Sequence, residues 1–533
     1  MKKNGIIILY CILGIILFFG FFYGLGSYPL LDVDETRYVD MARGMFNSKN
    51  YLTLYLNGEY FFEKPPLYFW LECISFHIFG GRINEWTARL PIVILSLLPT
   101  GFLIALCRKI KNDLFAIVTT TVLFTSLEYV ILTKIAILDS VLTSLVACSV
   151  LCYFLTFFVQ DKNKKYFWIL TYIFSGLAVM AKGIPGVAIP ALIIFVSSFV
   201  FKSWKETFKY SWGILLFLLL TLPWHIIMLK MYPHLFFREY IYKHHILRFL
   251  GSKVIGRVHP WYFLIVTLLW GLFPHIFVLF SKIKPPEDFK LNLKDDYTKF
   301  LILNSIAVVT ILLFFSSSAT KLITYILPIY PFFAVLIGAI WYKFINYDDR
   351  AVKISLIVLN TIFSIAAIGM IFCAMFLPPE IYIKFQQVQK VSLFTLIPFS
   401  ILNWIFILKN MRLKLFMSLG LMMALTLGIV TPCAFNFIYA FGQDDLMNFA
   451  QYARENKYTI STYLTGGRFS LLYYSHQPKI IFKTEEDTNW LRQELKKKNN
   501  IVIARNREIQ DLPLKIKKRG IKYSIIQGGT YEE

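Results

Sequence analysis

Apolar residues run through this chain in long blocks separated by short polar links. Stretches of roughly 17–25 residues, long enough to cross a bilayer, fall near 5–26, 87–107, 114–132, 138–159, 166–181, 184–201, 208–228, 261–281, 299–317, 322–343, 352–376, 391–408 and 414–435. About thirteen such spans predict a polytopic all-α membrane protein. The block 65–79 is shorter and carries Glu72 and His77, which predicts an interfacial or re-entrant helix. The first block follows Lys2 and Lys3, is long for a signal segment and has no small-x-small cleavage site after it, so it reads as an uncleaved first span.

The polar links set an orientation. With the N-terminus in the cytoplasm, the inner loops are Lys2-Lys3, Arg108–Lys111, Lys162–Lys165, Lys202–Lys209, Lys282–Lys299, Lys343–Lys353 and Lys409–Lys414, each with two or more basic residues. The outer segments are then 27–86, 229–260, 377–390 and the tail 436–533. Composition switches near Gly442. Apolar β-rich runs (Tyr458–Leu464, Ile501–Ala504, Tyr523–Gln527) alternate with helix-like segments (Asp444–Glu455, Glu485–Lys498), which predicts a small α/β domain. The expected division is a transmembrane domain over 1–435 and a soluble extracytoplasmic domain over 436–533.

Composition agrees with a membrane protein: 57% of residues are hydrophobic and mean hydropathy is +0.58. The net charge of +23 would suit a nucleic-acid partner, but the Lys and Arg lie in short clusters between apolar runs, which points to loop charge instead. The cysteines have no zinc-ligand spacing and suggest no disulfide framework.

Candidate chemistry gathers on the outer side. Asp32, Asp34, Glu35 and Arg37 follow the first span, and helical character from Glu35 to Phe46 puts Asp34 near a helix N-terminus. Glu63 and Lys64 stand between aromatics and the pair Pro65-Pro66, which starts the next helix at Pro66 or beyond and holds the Lys at the lip of the membrane. A cation at that depth suits a lipid-anchored phosphate. Lys134, Asp139, Lys182, Lys321 and Tyr325 fall at outer ends of spans. Capping or snorkelling explains each of these residues alone. Together Lys64, Lys182 and Lys321 suggest a site for a membrane-borne anion. The second outer loop adds His244, His245, Arg248 and His259. For a divalent metal, the candidate ligands are Glu63 with His259 or His245, without a tight ligand motif.

The strings DETRY (Asp34–Tyr38) and FEKPPLYFWL (Phe62–Leu71) resemble the polyprenyl-phosphate-dependent membrane glycosyltransferases, the family of the aminoarabinose lipid A transferases and protein O-mannosyltransferases. The strings Ala181-Lys182-Gly183, His259-Pro260-Trp261-Tyr262 and Lys321–Pro328 follow in matching order. The resemblance implies a GT-C type fold, an undecaprenyl-phosphate sugar donor, and single-displacement transfer with inversion at the periplasmic face of a bacterial inner membrane. It implies catalytic roles for Asp34, Glu63 and Lys64. Arg37, Asp139, Lys182, His245, Arg248, His259, Lys321 and Tyr325 are then expected to bind the donor phosphate or sugar. The expected acceptor is lipid A or another envelope glycan, and the sugar is 4-amino-4-deoxy-L-arabinose or another amino sugar or hexose. Protein O-glycosylation and transport of a lipid-linked sugar are the alternatives.

Overall fold

The computed structural model describes residues 3–247, 258–279, 281, 293, 295–512 and 514–531. Among them, nine helices are long and apolar enough to cross a membrane, or ten if one bent pair counts as a single span. The chain is a multi-pass membrane protein.

Three of the apolar blocks that fall short of this test, and the shorter 65–79, do so for visible reasons. Block 114–132 divides into Asp113–Thr125 and Leu127–Thr133, bent by 67°. The break is at Ser126, whose backbone is extended. The Leu127 N–H, without a partner one turn back, donates to the Phe273 carbonyl at 3.1 Å. Block 261–281 contains helices Phe263–Gly271 and Ile276–Leu279, with Pro274 between them. Block 184–201 is the 16-residue helix Pro185–Val200. The helix Leu67–Ile78 has 12 residues. At 1.5 Å per residue it extends about 18 Å, too short to span.

Residues 377–390 are not a loop, because the helix Pro379–Leu408 runs through most of them. Pro379 occupies its first turn, where a missing N–H costs nothing, and Glu380 follows it. Gln389 then ties the turn to the preceding span by donating to the Met370 carbonyl at 2.7 Å.

The loop after the first span contains the helix Asp34–Ser48, then strands β1 (Leu54–Leu56) and β2 (Glu59–Phe61), then Leu67–Ile78. The hairpin turns on Asn57 and Gly58, with φ of 54° and 79°, a left-handed pair that Asn-Gly accommodates.

The tail forms a five-stranded sheet from β3 (Thr459–Tyr463), β4 (Ile481–Lys483), β5 (Asn500–Arg505), β6 (Leu514–Arg519) and β7 (Tyr523–Tyr531), in the order β4-β3-β5-β7-β6. The β4-β3-β5 portion is parallel and the remainder antiparallel. Strand β5 reads as an unbroken apolar run because both of its faces are covered. Ile501 and Ile503 pack with Leu446, Phe449 and Leu471 on one side. Val502 and Ala504 pack with Leu491 and Leu495 on the other. Asp445, in the first turn of Gln443–Glu455, accepts from the main-chain N–H groups of Ile521, Lys522 and Tyr523 and ties the β6–β7 turn to the end of the last span.

Candidate active site

The helix Asp34–Ser48 has three working faces, which 3.6 residues per turn distribute around its axis. Glu35, Val39 and Ala42 point into the membrane bundle and are fully buried. Thr36, Asp40 and Arg43 face the tail. Asp34, Arg37 and Tyr38 make the third face.

The bundle face is locked by charge. Glu35 pairs bidentately with Arg89 of the span Glu85–Ile110, each N–H···O distance being 2.9 Å. Arg89 donates its other N–H groups to the carbonyls of Leu25, Tyr28 and Pro29, so its full donor set is spent. Glu35 also accepts from the N–H groups of Leu31 (2.7 Å) and Ala136 (2.6 Å). This network fixes the helix against the first span and against the segment leading into Leu138–Leu155.

On the third face, Arg37 donates to the Asp34 carboxylate at 2.9 Å and to the Tyr38 hydroxyl at 3.0 Å, and its guanidinium lies over the rings of Tyr38 and Phe61. The Asp34 side chain is half exposed. Burial pushes the Tyr38 hydroxyl well up; Arg37 opposes this, while the charges of Asp34, Asp139 and Glu63 add to it. Four charged residues from three separate parts of the sequence therefore act on one phenol.

Glu63 and Lys64 lie between β2 and the helix that Pro66 caps. The Lys64 side chain is buried, and its ammonium donates to the Glu63 carbonyl at 3.1 Å. The Glu63 carboxylate lies 3.7 Å from Nε2 of His244. The segment is held from behind by aromatic packing of Phe62 against Tyr232 and Phe236, and by Trp224, whose indole N–H donates to the Leu52 carbonyl.

Asp139 begins the helix Leu138–Leu155 and Lys182 ends the helix Asp161–Lys182. The two side chains form an ion pair, and the Lys182 ammonium lies 4.7 Å from the Tyr325 ring centroid. Lys321 donates to the carbonyls of His259 (3.1 Å) and Ser318 (2.6 Å), and the His259 ring stacks on Phe263 at 4.1 Å. Burial lowers the pKa of the Lys321 ammonium. The structure thus gathers the expected residues into three groups: Asp34-Arg37-Glu63 around Tyr38, Asp139-Lys182-Tyr325, and His259-Lys321. Lys64 adjoins the first through Glu63, and Asp139 links the first two. Arg248 lies outside the described residues, as does the side chain of His245.

For a divalent metal, the described residues contain no group of three His, Cys, Asp or Glu side chains poised as ligands. The nearest approach to the expected pairing is Glu63 with His244, rather than with His259, whose ring is engaged with Phe263. Two residues missed in the sequence are Tyr38, hidden inside the DETRY string, and Arg89, an isolated cation at the start of an apolar block.

Residues 63–227 match the family model described as dolichyl-phosphate-mannose-protein mannosyltransferase. The crystal structure of ArnT from Cupriavidus metallidurans bound to undecaprenyl phosphate superimposes with a TM-score of 0.79 at 16% identity, covering 99% of this chain and 100% of that one. The chain shares the fold of that structure over nearly its whole length. In sequence, undecaprenyl phosphate-alpha-4-amino-4-deoxy-L-arabinose arabinosyl transferase 1 of Proteus mirabilis (strain HI4320) is 29% identical over 325 residues, 60% of this chain and 56% of the relative. The transferase of that name from Shewanella sediminis (strain HAW-EB3) is 26% identical over 350 residues, 65% of this chain and 62% of the relative. The chain matches little more than half the length of these curated relatives. The family-model match begins at Glu63 and takes in Lys64, Asp139 and Lys182, while the Asp34 helix lies ahead of it.

Proposed function

We propose that the chain transfers a sugar from a polyprenyl-phosphate carrier to lipid A or another envelope acceptor, at the periplasmic face of the inner membrane. The observation that carries this reading is the Asp34-Arg37 pair against Tyr38, with Lys64 buried beside Glu63 and the Asp139-Lys182 pair against the Tyr325 ring. The curated relatives named for an undecaprenyl phosphate-linked aminoarabinose donor favour that donor class, with a 4-amino-4-deoxy-pentose as the first sugar to test.

The chemistry follows from the charges. The bond between sugar C1 and the phosphate oxygen breaks, and the lipid phosphate leaves with the electron pair. An acceptor oxygen bonds to C1 from the opposite face. Lys64 stabilises the charge growing on the phosphate at a position shielded from water, where a cation acts strongly. Lys182 already has a carboxylate partner in Asp139, so its part is to shape the field with that residue and to hold the Tyr325 ring. If the acceptor is a hydroxyl, its proton passes to Asp34. If it is a phosphate oxygen it carries no proton, and Asp34 with Arg37 orients the sugar.

The test is transfer of radiolabelled polyprenyl-phosphate sugar to mixed membrane acceptors by the purified protein. Label on lipid is expected, with Lys64→Ala and Asp34→Asn at least about a hundredfold slower. Unchanged transfer by Lys64→Ala contradicts the reading. The protein mannosyltransferase family match supports a second reading, a Ser or Thr acceptor, which label on protein would favour. Movement of intact donor without cleavage would indicate a transporter.

A further inference from the structure

Asp32 has no part in the chemistry above, yet it is among the most heavily bonded residues of the outer loop. Its carboxylate accepts from the Ser470 N–H (3.0 Å) and the Ser470 hydroxyl (2.8 Å) in the tail, and from the Thr36 hydroxyl (2.8 Å) in the first turn of the Asp34 helix. Its own N–H donates to Gln443 at 3.1 Å, and the Gln443 amide donates back to the Leu30 carbonyl at 2.6 Å. The Leu30 N–H donates to the Tyr474 hydroxyl, which in turn donates to Glu85. Main-chain groups on both sides of Leu31 are therefore held by tail side chains.

We propose that the C-terminal α/β unit sets the position of the Asp34 carboxylate through Asp32. This rests on the functional reading above, in which Asp34 acts on the acceptor or the sugar. The local reason is the helix start. Val33 occupies the N-cap position and supplies no capping side chain. The N–H groups of Glu35 and Thr36 donate instead to the Leu31 carbonyl, at 3.1 and 3.3 Å, so the first turn, which Asp34 opens, hangs on the segment whose flanks the tail holds. Asp32, next to Leu31, adds a side-chain tie from the Thr36 hydroxyl to Ser470. Asp34 is half exposed, so its bond to Arg37 alone leaves its place dependent on where the first turn sits.

The rest of the seam makes the tail a firm reference. Arg43, paired with Asp40, donates to the Tyr473 carbonyl at 2.7 Å and lies over the Tyr473 ring. At the hairpin tip, the Asn57 amide donates to the Ile480 carbonyl at 2.9 Å and accepts from the Ile480 N–H at 2.7 Å. The tail thus grips the Asp34 helix near its start, along its flank and through the hairpin that follows it. Asp32 and Ser470 are positioning residues, and their effect is on turnover rather than on hold of the lipid phosphate. Misplacing a reacting group by about 1 Å costs up to a hundredfold in rate.

The experiment uses the full chain in nanodiscs, with variants Asp32→Ala, Ser470→Ala and Ser470→Thr. Three quantities are read: kcat for sugar transfer, affinity for sugar-free polyprenyl phosphate, and amide hydrogen exchange over 34–38. Expected are a kcat about tenfold lower in Asp32→Ala and Ser470→Ala, affinity for polyprenyl phosphate within about twofold, faster exchange over 34–38, and near wild-type kcat and exchange in Ser470→Thr. Unchanged kcat overturns the proposal, as does a loss that Ser470→Thr fails to restore. If the parent protein transfers no sugar, the functional reading falls instead. Exchange then decides the seam alone, and unchanged protection of 34–38 in Asp32→Ala overturns it.

Discussion

Glu35 and Arg89 form a bidentate ion pair whose side chains are both wholly removed from solvent. Pairs of this kind are often replaceable by two apolar residues at little cost. Here that exchange fails, because the pair also satisfies the carbonyls of Leu25, Tyr28 and Pro29 and the N–H groups of Leu31 and Ala136. Arg89→Met is expected to destabilise the protein by about 3–5 kcal/mol. The double variant Glu35→Leu/Arg89→Met should stay close to it instead of recovering. Thermal unfolding in detergent measures both, and a double variant with wild-type stability would show that the main-chain partners do not matter.

The Lys182 ammonium is shared between the Asp139 carboxylate and the Tyr325 ring. Tyr325→Phe keeps the ring face and is expected to change transfer by less than about threefold. Tyr325→Leu removes a cation–π contact of about 0.5–2 kcal/mol, equivalent to roughly two- to thirtyfold. Lys182→Met leaves Asp139 without its cation and should cost more than either. The ranking of kcat/KM across the three variants checks this, and equal losses for Phe and Leu would assign the effect to the hydroxyl.

Lys321 serves the main chain. Its ammonium bridges the His259 and Ser318 carbonyls, and Val258 pairs with Thr320 beside it. Lys321→Met leaves both carbonyls short of a donor, at a cost of about 1–3 kcal/mol for each group left unpaired. The expected result is a lower unfolding temperature and faster proteolysis at 258–262, with a smaller loss of donor affinity than Lys64→Met produces. A loss of polyprenyl phosphate binding equal to that of Lys64→Met would place Lys321 on the phosphate.

Asp32 gives a pH signature. Burial, the largest influence, pushes its carboxyl above the ordinary 3.8; the hydrogen bonds from Ser470 and Thr36 and the charge of Arg468 oppose this. The folded chain then holds the proton more tightly than the unfolded chain. Stability contributed by this group falls as pH rises from 3.8 through the raised folded value, and returns on acidification. The unfolding temperature of wild type minus that of Asp32→Asn is therefore expected to increase as pH is lowered from 7 toward 4. A difference that shrinks over that range would reverse the sign.

Local signals carried much of the fold. The apolar blocks mark the membrane helices, Pro65-Pro66 marks the start at Leu67, and the switch near Gly442 marks the sheet-bearing tail. Partnerships between distant residues left no local trace. Arg89 meets Glu35 across 54 positions and Lys182 meets Asp139 across 43. The acidic cluster after the first span reads as one patch, but helical geometry divides it: Glu35 enters the bundle lock, Asp34 stays half exposed beside Arg37, and Asp32 turns to the tail. Strand β4 is three residues long and β6 alternates with lysines on an exposed edge, so neither stands out as an apolar run. The β1–β2 hairpin did have a signal, Asn57-Gly58, which lies between strands too short to call attention to it.

Asp32 and Ser470 lie 438 residues apart. Synthesis makes the Asp34 helix early, while Ser470, which holds its entry, is added more than four hundred residues later. The helix therefore enters the membrane surface before its anchor exists, and under the proposed function a chain cut short ahead of Ser470 is expected to transfer no sugar.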